Sequence, residues 1–423
     1  MFEWSETDEM IRDSVRTFID REIRPHIDEL EHGDLPPYDI MRKLFKEFGL
    51  DALIDETVDK MLAKEQAKEQ EKADRIAAGE SEPTSNGKSG GNPLAAQGSM
   101  AAVLISELTG VTLGSVAAVG VSLGLGAATI ASRGTLAQKQ RWLKDIVTLN
   151  KVAAWAITEP DSGSDAFGGM KTYVRRDGDD YILNGQKTFI TNGPYADVIV
   201  VYAKLDEGDQ ADKRDRKVLT FVLDTGMEGL TQGKPFKKMG MHSSPTGELF
   251  FDNVRLTRDR LLGETEDHKG GDGRDSARSS FIVERVGCAV LSLGIINECH
   301  RLSVDYAKSR TLWGQEIGRF QLIQLKLAEM EIARLNVQNM VFNALESFAA
   351  GKIPSLAESS AMKLYSTKAA TDVAMEAVQL FGGNGYMAEY RVEQLARDAK
   401  SLMIYAGSNE IQVTHVAKGL LAG

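Results

Sequence analysis

Two cysteines in 423 residues, Cys288 and Cys299, leave no room for a disulfide scaffold. Both fall on one expected helix about 16 Å apart at ~1.5 Å per residue, so they cannot pair with each other. A reducing, cytoplasmic compartment is the expectation. The start, MFEWSETDEM, lacks the basic and apolar regions of a signal peptide. Positive charge is also short: 50 Lys and Arg stand against 61 Asp and Glu, a net −11. No basic face is on offer to nucleic acid or an anionic membrane surface, and neither is expected as a partner. The chain has no P-loop, no zinc-ligand spacing and no Gly-x-Ser-x-Gly elbow. No Gly-x-Gly-x-x-Gly follows a strand, which argues against a nicotinamide-type Rossmann site. Charge is missing altogether from Leu108 to Ser132, a run long enough to span a bilayer. More than half of that run is Gly, Ala, Ser or Thr, however. Such side chains carry little transfer energy and suit close helix packing, so a buried central helical region is expected.

What is present divides into three. At this length two or three domains are expected, and the period of the apolar residues sets them at 1–151, 152–270 and 271–423. Residues 1–52 read as two helices. Ser5 caps the first, ahead of Ile11, Val15, Phe18 and Ile19, and the Pro36-Pro37 pair breaks it. Ile40, Leu44, Phe45 and Phe48 start another stripe. In 56–80 Lys60, Lys64, Lys68 and Lys72 share one helix face. Glu56, Glu65, Glu69 and Glu71 each precede a Lys or Arg by three or four residues, the pattern of a solvated surface helix. Ser81–Pro93 reads as a flexible loop.

From Val152 to Val254 the period falls to two, with β-rich runs VAAWAIT, KTYVR, YILNGQKTFIT, DVIVVYA, KVLTFVL and GELFFDNV. Asn184-Gly185 reads as a two-residue hairpin turn, and the segment as an antiparallel barrel or sandwich. A polar loop, Glu264 to Arg274, closes it. Helical period returns from Ser279 with Ile282, Val286, Ala289, Val290, Leu293 and Ile296. It continues through Leu322, Leu325, Leu327, Met330 and Ile332, then Ala361–Leu380 and Ala396–Leu420, which makes a four-helix bundle. The fold class is α+β, in the order helical, β, helical.

Two polar clusters stand out. One is the loop Trp155-Ala156-Ile157-Thr158-Glu159-Pro160-Asp161-Ser162-Gly163-Ser164-Asp165 at the end of a strand, rich in hydroxyls and free N–H groups. The other is a pair of glycine turns, Phe381–Gly385 and Tyr405–Ser408, joined by the amphipathic segment Glu393–Met403. Both turns expose backbone to whatever lies beside them.

The longer motifs carry a resemblance. AITEPDSGSD at 156–165, NGQKTFITNG at 184–193, SRTLWGQEIGRFQ at 309–321, QLFGGNGYMAEY at 379–390 and RDAKSLMIYAGSNEIQ at 397–412 are ordered along nearly the whole chain. In these the sequence resembles the acyl-CoA dehydrogenases, a flavoprotein family of the same α–β–α order. The resemblance implies FAD, an acyl-CoA substrate, an electron-transfer flavoprotein as acceptor, and a homotetramer. It implies that Ile157, Thr158, Ile190 and Thr191 border the flavin ring, with Ser164 facing flavin and substrate. Phe189 stands where the family usually stacks Trp. Arg310 and Gln321, with Gln379, Gly382 and Gly383 of a neighbouring subunit, would hold the pyrophosphate and adenosine parts. Ser408 and Glu410 match further cofactor contacts, and Arg285, Tyr405 and Gly407 substrate contacts.

One departure is informative. Where most of the family has its catalytic glutamate this chain has Ala406, which cannot remove a proton. A minority resembling isovaleryl-CoA and long-chain acyl-CoA dehydrogenases place the base on the first bundle helix before an Arg. Glu284-Arg285 stands there. The Ala406 N–H, which polarises the thioester carbonyl in the family, survives the change. The resemblance therefore implies dehydrogenation to a trans-2-enoyl-CoA, with Glu284 as base and flavin N5 as hydride acceptor. An oxidase or monooxygenase on the same fold, or an inactive partner subunit, are the competing readings. Residues 56–93 are an insertion relative to the family.

Overall fold

A computed structural model describes residues 4–32, 35–77, 98–208, 212–268 and 271–422. The expected loop Ser81–Pro93 lies outside the described residues.

Helix α1 (Glu6–Phe18) starts where Ser5 makes a reciprocal capping box with Asp8. Its buried Val15 and Phe18 lead into a π-helical turn, Ile19–Ile23, and then α2 (Ile27–His32). Helix α3 (Tyr38–Glu47) begins directly after Pro37 and buries Ile40, Met41, Leu44 and Phe45. The charged segment extends further back than its composition indicates, as α4 (Leu50–Ala77). It is docked: Val58, Ile54 and Leu62 pack on the cluster that holds Trp142 and Ile146. Lys139 binds Glu65 at 2.6 Å, and Lys144 lies 3.1 Å from both Asp55 and Asp59.

The uncharged run forms α5 (Gly98–Gly120), a π-helical stretch at Val121–Ala127, and α6 (Ala128–Arg133); α7 (Leu136–Val147) follows. Residues 98–133 and 273–309 are each long and apolar enough to cross a membrane, yet 67% and 59% of their apolar windows are buried inside the protein. Small residues explain the first of these. A Cβ on Gly294 would sit 2.3 Å from the Ser106 carbonyl, so the central helix and the first bundle helix cross too closely for a side chain.

The middle segment is one curled sheet of β1 (Ala153–Ala156), β2 (Tyr173–Asp177), β3 (Asp180–Thr191), β4 (Val198–Leu205), β5 (Val218–Asp224), β6 (Leu230–Gln232) and β7 (Thr246–Leu256). Pairing is mainly antiparallel, but β1 and the start of β2 run parallel to β4. The hairpin reading of Asn184-Gly185 is wrong. Strand β3 runs straight through it, and the chain reverses instead at Asp177–Asp180, around Gly178. Gly185 serves a β-bulge, at φ +143°, where a Cβ would meet Thr172 Oγ1 at 2.5 Å.

Helix α8 (Gly273–Ser309) starts six residues before the expected Ser279, capped by Asp272. A short hairpin of β8 (Thr311–Leu312) and β9 (Gln315–Glu316) leads to α9 (Gln321–Ala349) and α10 (Leu356–Phe381). The expected Ala396–Leu420 helix is two, α11 (Val392–Leu402) and α12 (Asn409–Leu421). Ala406 and Gly407 separate them at φ +56° and +83°, a left-handed conformation no helix continues through. Leu293, Ile296, Val337, Val341, Val373 and Leu395 share the bundle core, while Leu322, Leu325 and Ile332 of the expected stripe lie on its outer surface.

Candidate active site

Buried Ile157 directly follows the end of strand β1, and a buried ion pair holds that end. Lys187 Nζ donates to the Ile157 carbonyl at 3.0 Å and to Glu159 Oε1 at 2.8 Å. Glu159 also accepts from the backbone of Lys171 at 2.6 Å and Thr172 at 3.0 Å. Burial draws the Lys187 ammonium down to about 8 against the pull of Glu159. Burial opposes ionisation of Glu159 too, but Lys187 and the two amides outweigh it and keep its carboxyl below the usual range.

Beside this strand end β3 presents an aromatic outward. A register shift between Lys187 and Ile190 puts Phe189 at φ +56° and leaves it 67% exposed, its ring 5.8 Å from that of Phe236. Ile190 is buried, Thr191 half-buried and Ser164 exposed. Asn192 ties the end of β3 down, donating to Ala118 and Ala153 carbonyls at 2.8 and 2.9 Å. The exposed ring and the free strand end fit a flat aromatic cofactor, since a large apolar face held out by a bulge needs a partner.

Trp155 carries the β sheet to the bundle. Its ring lies 6.2 Å from Phe281 of α8, and the Arg285 guanidinium lies 5.8 Å from the Phe281 centroid. Arg285 is buried, donates to Ser360 Oγ at 3.0 Å, and leaves Nε without a partner. Glu284, next to it, retains some solvent contact as a residue. Its carboxyl is nonetheless pushed up to about 7 by burial, against the attraction of Arg285 and Lys363.

The turn between α11 and α12 closes on this carboxyl. Glu284 and Cys288 both add to the burial that raises the Tyr405 hydroxyl, and a Cβ on Gly407 would come 3.7 Å from Arg285 Nη2. Gln412 Nε2 donates to the Ala406 and Gly407 carbonyls at 3.2 and 2.7 Å, and Lys363 Nζ to Gly407 at 2.7 Å. Ser408 and Glu410 follow at the start of α12, where Glu410's own amide and the Ser408 hydroxyl keep its carboxyl low. Glu284, Arg285, Tyr405, Ala406 and Gly407 are thus assembled beside the strand that leads into Ile157-Thr158.

Arg310, Gln321, Gln379, Gly382 and Gly383 are not. They are exposed and gather near the far end of α8, where Tyr306 stacks on Phe381 at 4.0 Å and Asn384 donates to the Tyr306 hydroxyl at 3.0 Å. From Glu284 to Arg310 the helix advances 26 residues, about 39 Å at ~1.5 Å per residue. One chain does not bring the two sets to one cofactor. Arg310 has no ion-pair partner among the described residues, and Gly382 and Gly383 face open space.

The roles of Lys187 and Lys363 escaped the sequence reading, and Glu159 was named only as part of the polar loop. Lys187 occupies an inward position of β3, where the alternation calls for an apolar residue, and that was the available signal. A cavity of about 800 Å³ lies elsewhere, between α1, α5, α8 and α9, lined by Arg12, Arg16, Glu298 and Arg334. Arg16, Glu298 and Arg334 are engaged in ion pairs there. Among the described residues no cluster of His, Cys, Asp or Glu could hold a metal.

Comparison with known proteins adds to this geometry. Family models of the acyl-CoA dehydrogenase N-terminal, middle and C-terminal domains match residues 5–57, 154–254 and 271–421. An acyl-CoA dehydrogenase of Bacillus subtilis is 33% identical across 98% of this chain and 98% of its own. The caffeyl-CoA reductase-Etf complex subunit CarC of Acetobacterium woodii is 32% identical across 99% of both. The structure of butyryl-CoA dehydrogenase from Megasphaera elsdenii superposes with a TM-score of 0.82 at 29% identity, covering 100% of each chain.

Proposed function

Because the chain belongs to the acyl-CoA dehydrogenase family of oxidoreductases, we propose that it removes hydrogen from Cα and Cβ of an acyl-CoA thioester, leaving a trans-2-enoyl-CoA. The observation that carries this reading is Glu284. It is a carboxyl raised to about 7 beside a left-handed turn whose Ala406 supplies a backbone N–H but no acid.

The thioester α-proton is weakly acidic, so a base works only if the carbonyl oxygen is polarised as charge develops on it. Ala406 N–H is the donor for that oxygen, and Glu284 takes the proton. A carboxylate with affinity for a proton near neutrality is matched to this task. Arg285 and Lys363 keep it ionised part of the time. Tyr405 and Gly407 line the substrate side with Arg285 and Ser164.

FAD, when bound, supplies the hydride acceptor. Ile157, Thr158, Ile190 and Thr191 would border its ring and Phe189 would cover one face, with Ser408 and Glu410 nearby. Arg310, with a guanidinium fork suited to phosphate and no carboxylate partner among the described residues, would hold pyrophosphate together with Gln321, Gln379, Gly382 and Gly383. The separation of the two sets along α8 supports a site shared between subunits, as a homotetramer would provide. The similarity to a subunit of an Etf complex supports an electron-transfer flavoprotein as acceptor. Two free, buried cysteines are in keeping with a reducing, cytoplasmic setting. A role in fatty-acid metabolism follows from the substrate class.

The same relative is named a reductase, which favours a second reading in which the reaction runs toward the saturated thioester and Glu284 returns the proton to Cα. A panel of acyl-CoA esters with a dye acceptor, and of enoyl-CoA esters with a reduced dye, separates the two. Glu284→Gln should keep its yellow cofactor and lose turnover in either direction. Turnover retained by that variant removes Glu284 as base, and a wild-type protein that purifies colourless removes the flavoenzyme reading altogether.

A further inference from the structure

We propose that Lys363 is a positioning residue of this site: its ammonium clamps the Gly407 carbonyl and with it the Tyr405–Gly407 turn beside Glu284. The proposal rests on the reading of Glu284 as the base.

Lys363 lies in the middle of α10 with no exposed surface. Among the described residues it has no ion-pair partner, and neither has Arg285. Two buried cations thus face one carboxyl. An ammonium buried without a counter-ion is costly, and a position that needed only bulk would hold an apolar side chain. The geometry shows what the charge is used for. Nζ donates to the Gly407 carbonyl at 2.7 Å and reaches Asn409 Oδ1 at 3.5 Å; Thr367 Oγ1 holds the same amide oxygen at 3.2 Å. Gln412 Nε2 approaches the Gly407 carbonyl at 2.7 Å as well, so that oxygen accepts from two donors.

The turn requires such a hold. Ala406 and Gly407 are consecutive left-handed residues at φ +56° and +83°, and Ala carries a steric cost there that persists only where the surroundings over-determine it. Lys363 fixes the plane of the Gly407–Ser408 peptide and Gln412, through the Ala406 carbonyl, that of the Ala406–Gly407 peptide; together they hold the left-handed turn that aims the Ala406 N–H. The groups that face Glu284 are Arg285 and Cys288 from its own helix, Lys363 from α10 and Tyr405 from the turn. Lys363 in turn also feels Glu410 from α12. Arg285 is engaged by Ser360 and Phe281, whereas Lys363 links base and turn in one group.

The test uses the full-length, flavin-loaded protein with Lys363→Met, Lys363→Gln and Lys363→Arg. The Glu284 carboxyl stretch is titrated by difference infrared, with Glu284→Gln as blank. Met and Gln should each raise the Glu284 midpoint by about one pH unit, and Arg should restore it. Because Gln keeps a donor toward Gly407, it should retain several-fold more kcat than Met, with KM changed less than about threefold in both. An unmoved midpoint in the Gln and Met variants overturns the electrostatic role. Equal kcat in Gln and Met overturns the clamp. The Gln–Met pair, close to lysine in shape, decides this even if Lys363→Arg does not fold. Glu284→Gln that still turns over would remove the base reading while leaving the infrared shift intact, so the two failures are distinguishable.

Discussion

Lys187 Nζ lies 2.8 Å from Glu159 Oε1 with 0% and 4% of the two side chains exposed, one residue from the strand end that would meet the flavin. Removing one partner leaves the other as an uncompensated buried charge. Lys187→Met should therefore cost about 3–5 kcal/mol, read as a lower urea midpoint, and the purified protein should carry less flavin. Replacing both partners by apolar residues should recover most of the stability. If flavin content recovers as well, the pair is structural only and does not position Ile157-Thr158.

Activity should depend on pH through Glu284. A base must be unprotonated in the free enzyme, so kcat/KM should rise with pH and level off above about 7, falling roughly tenfold per unit below it. The stability contribution has the opposite slope. A carboxyl raised on folding stabilises the folded state below its ordinary value near 4.5, and that contribution is lost as pH rises through about 7. A rate profile whose acid limb lies near 4.5 would point to another base.

Gly185→Ala tests the bulge in β3. The position combines φ +143° with a Cβ that would meet Thr172 Cα at 2.7 Å, backbone that cannot swing away. A loss of about 1–3 kcal/mol is expected, measured by denaturant unfolding. Gly178→Ala, at φ +65° with open space around it, should cost about 1 kcal/mol or less. If the two variants are equally stable, the bulge geometry is not what Gly185 provides.

That contrast also shows what the sequence made legible. The change of period from helix to strand and back follows from burial of one face, which is written locally, and the three regions were readable from it. Asn184-Gly185 misled because a bulge inside a twelve-residue strand and a hairpin turn both call for Gly at positive φ. Asp177-Gly178, the true turn, carries the same kind of signal. Leu322, Leu325 and Ile332 follow helical spacing yet face outward, since periodicity cannot tell a core from a surface awaiting a partner. In the site, Glu284 stood out as a candidate because Ala406 removed the alternative. Lys363 could not, because its meaning comes from the carbonyl of Gly407, 44 residues away in sequence.

The junction of the three regions turns on Asp398. It is fully buried on α11 and accepts from the Met241 amide at 2.5 Å and from Gln394 Nε2 at 3.1 Å. Glu31 of α2 faces it, equally buried, with Oε1 bonded to Ser243 Oγ at 2.8 Å and Oε2 without a partner. Lys238, Arg391 and Arg397 lie within electrostatic reach of Asp398. Burial, with Glu31 adding to it, pushes the Asp398 carboxyl up to about 7 against the Met241 amide, Gln394 and Arg397. The sign follows from linkage: a raised carboxyl stabilises the fold below its ordinary value, and the benefit disappears as pH rises through about 7. Wild-type protein should therefore have a higher urea midpoint at pH 6 than at pH 8. Asp398→Asn cannot ionise and keeps an oxygen for Met241, and its amide can donate to the Gln394 Oε1 that now has no partner. The variant should show a clearly smaller difference between the two values, the part due to Glu284 remaining, and exceed wild type at pH 8. If the variant keeps the wild-type difference between pH 6 and pH 8, the proton is held elsewhere in the junction and Asp398 is not its site.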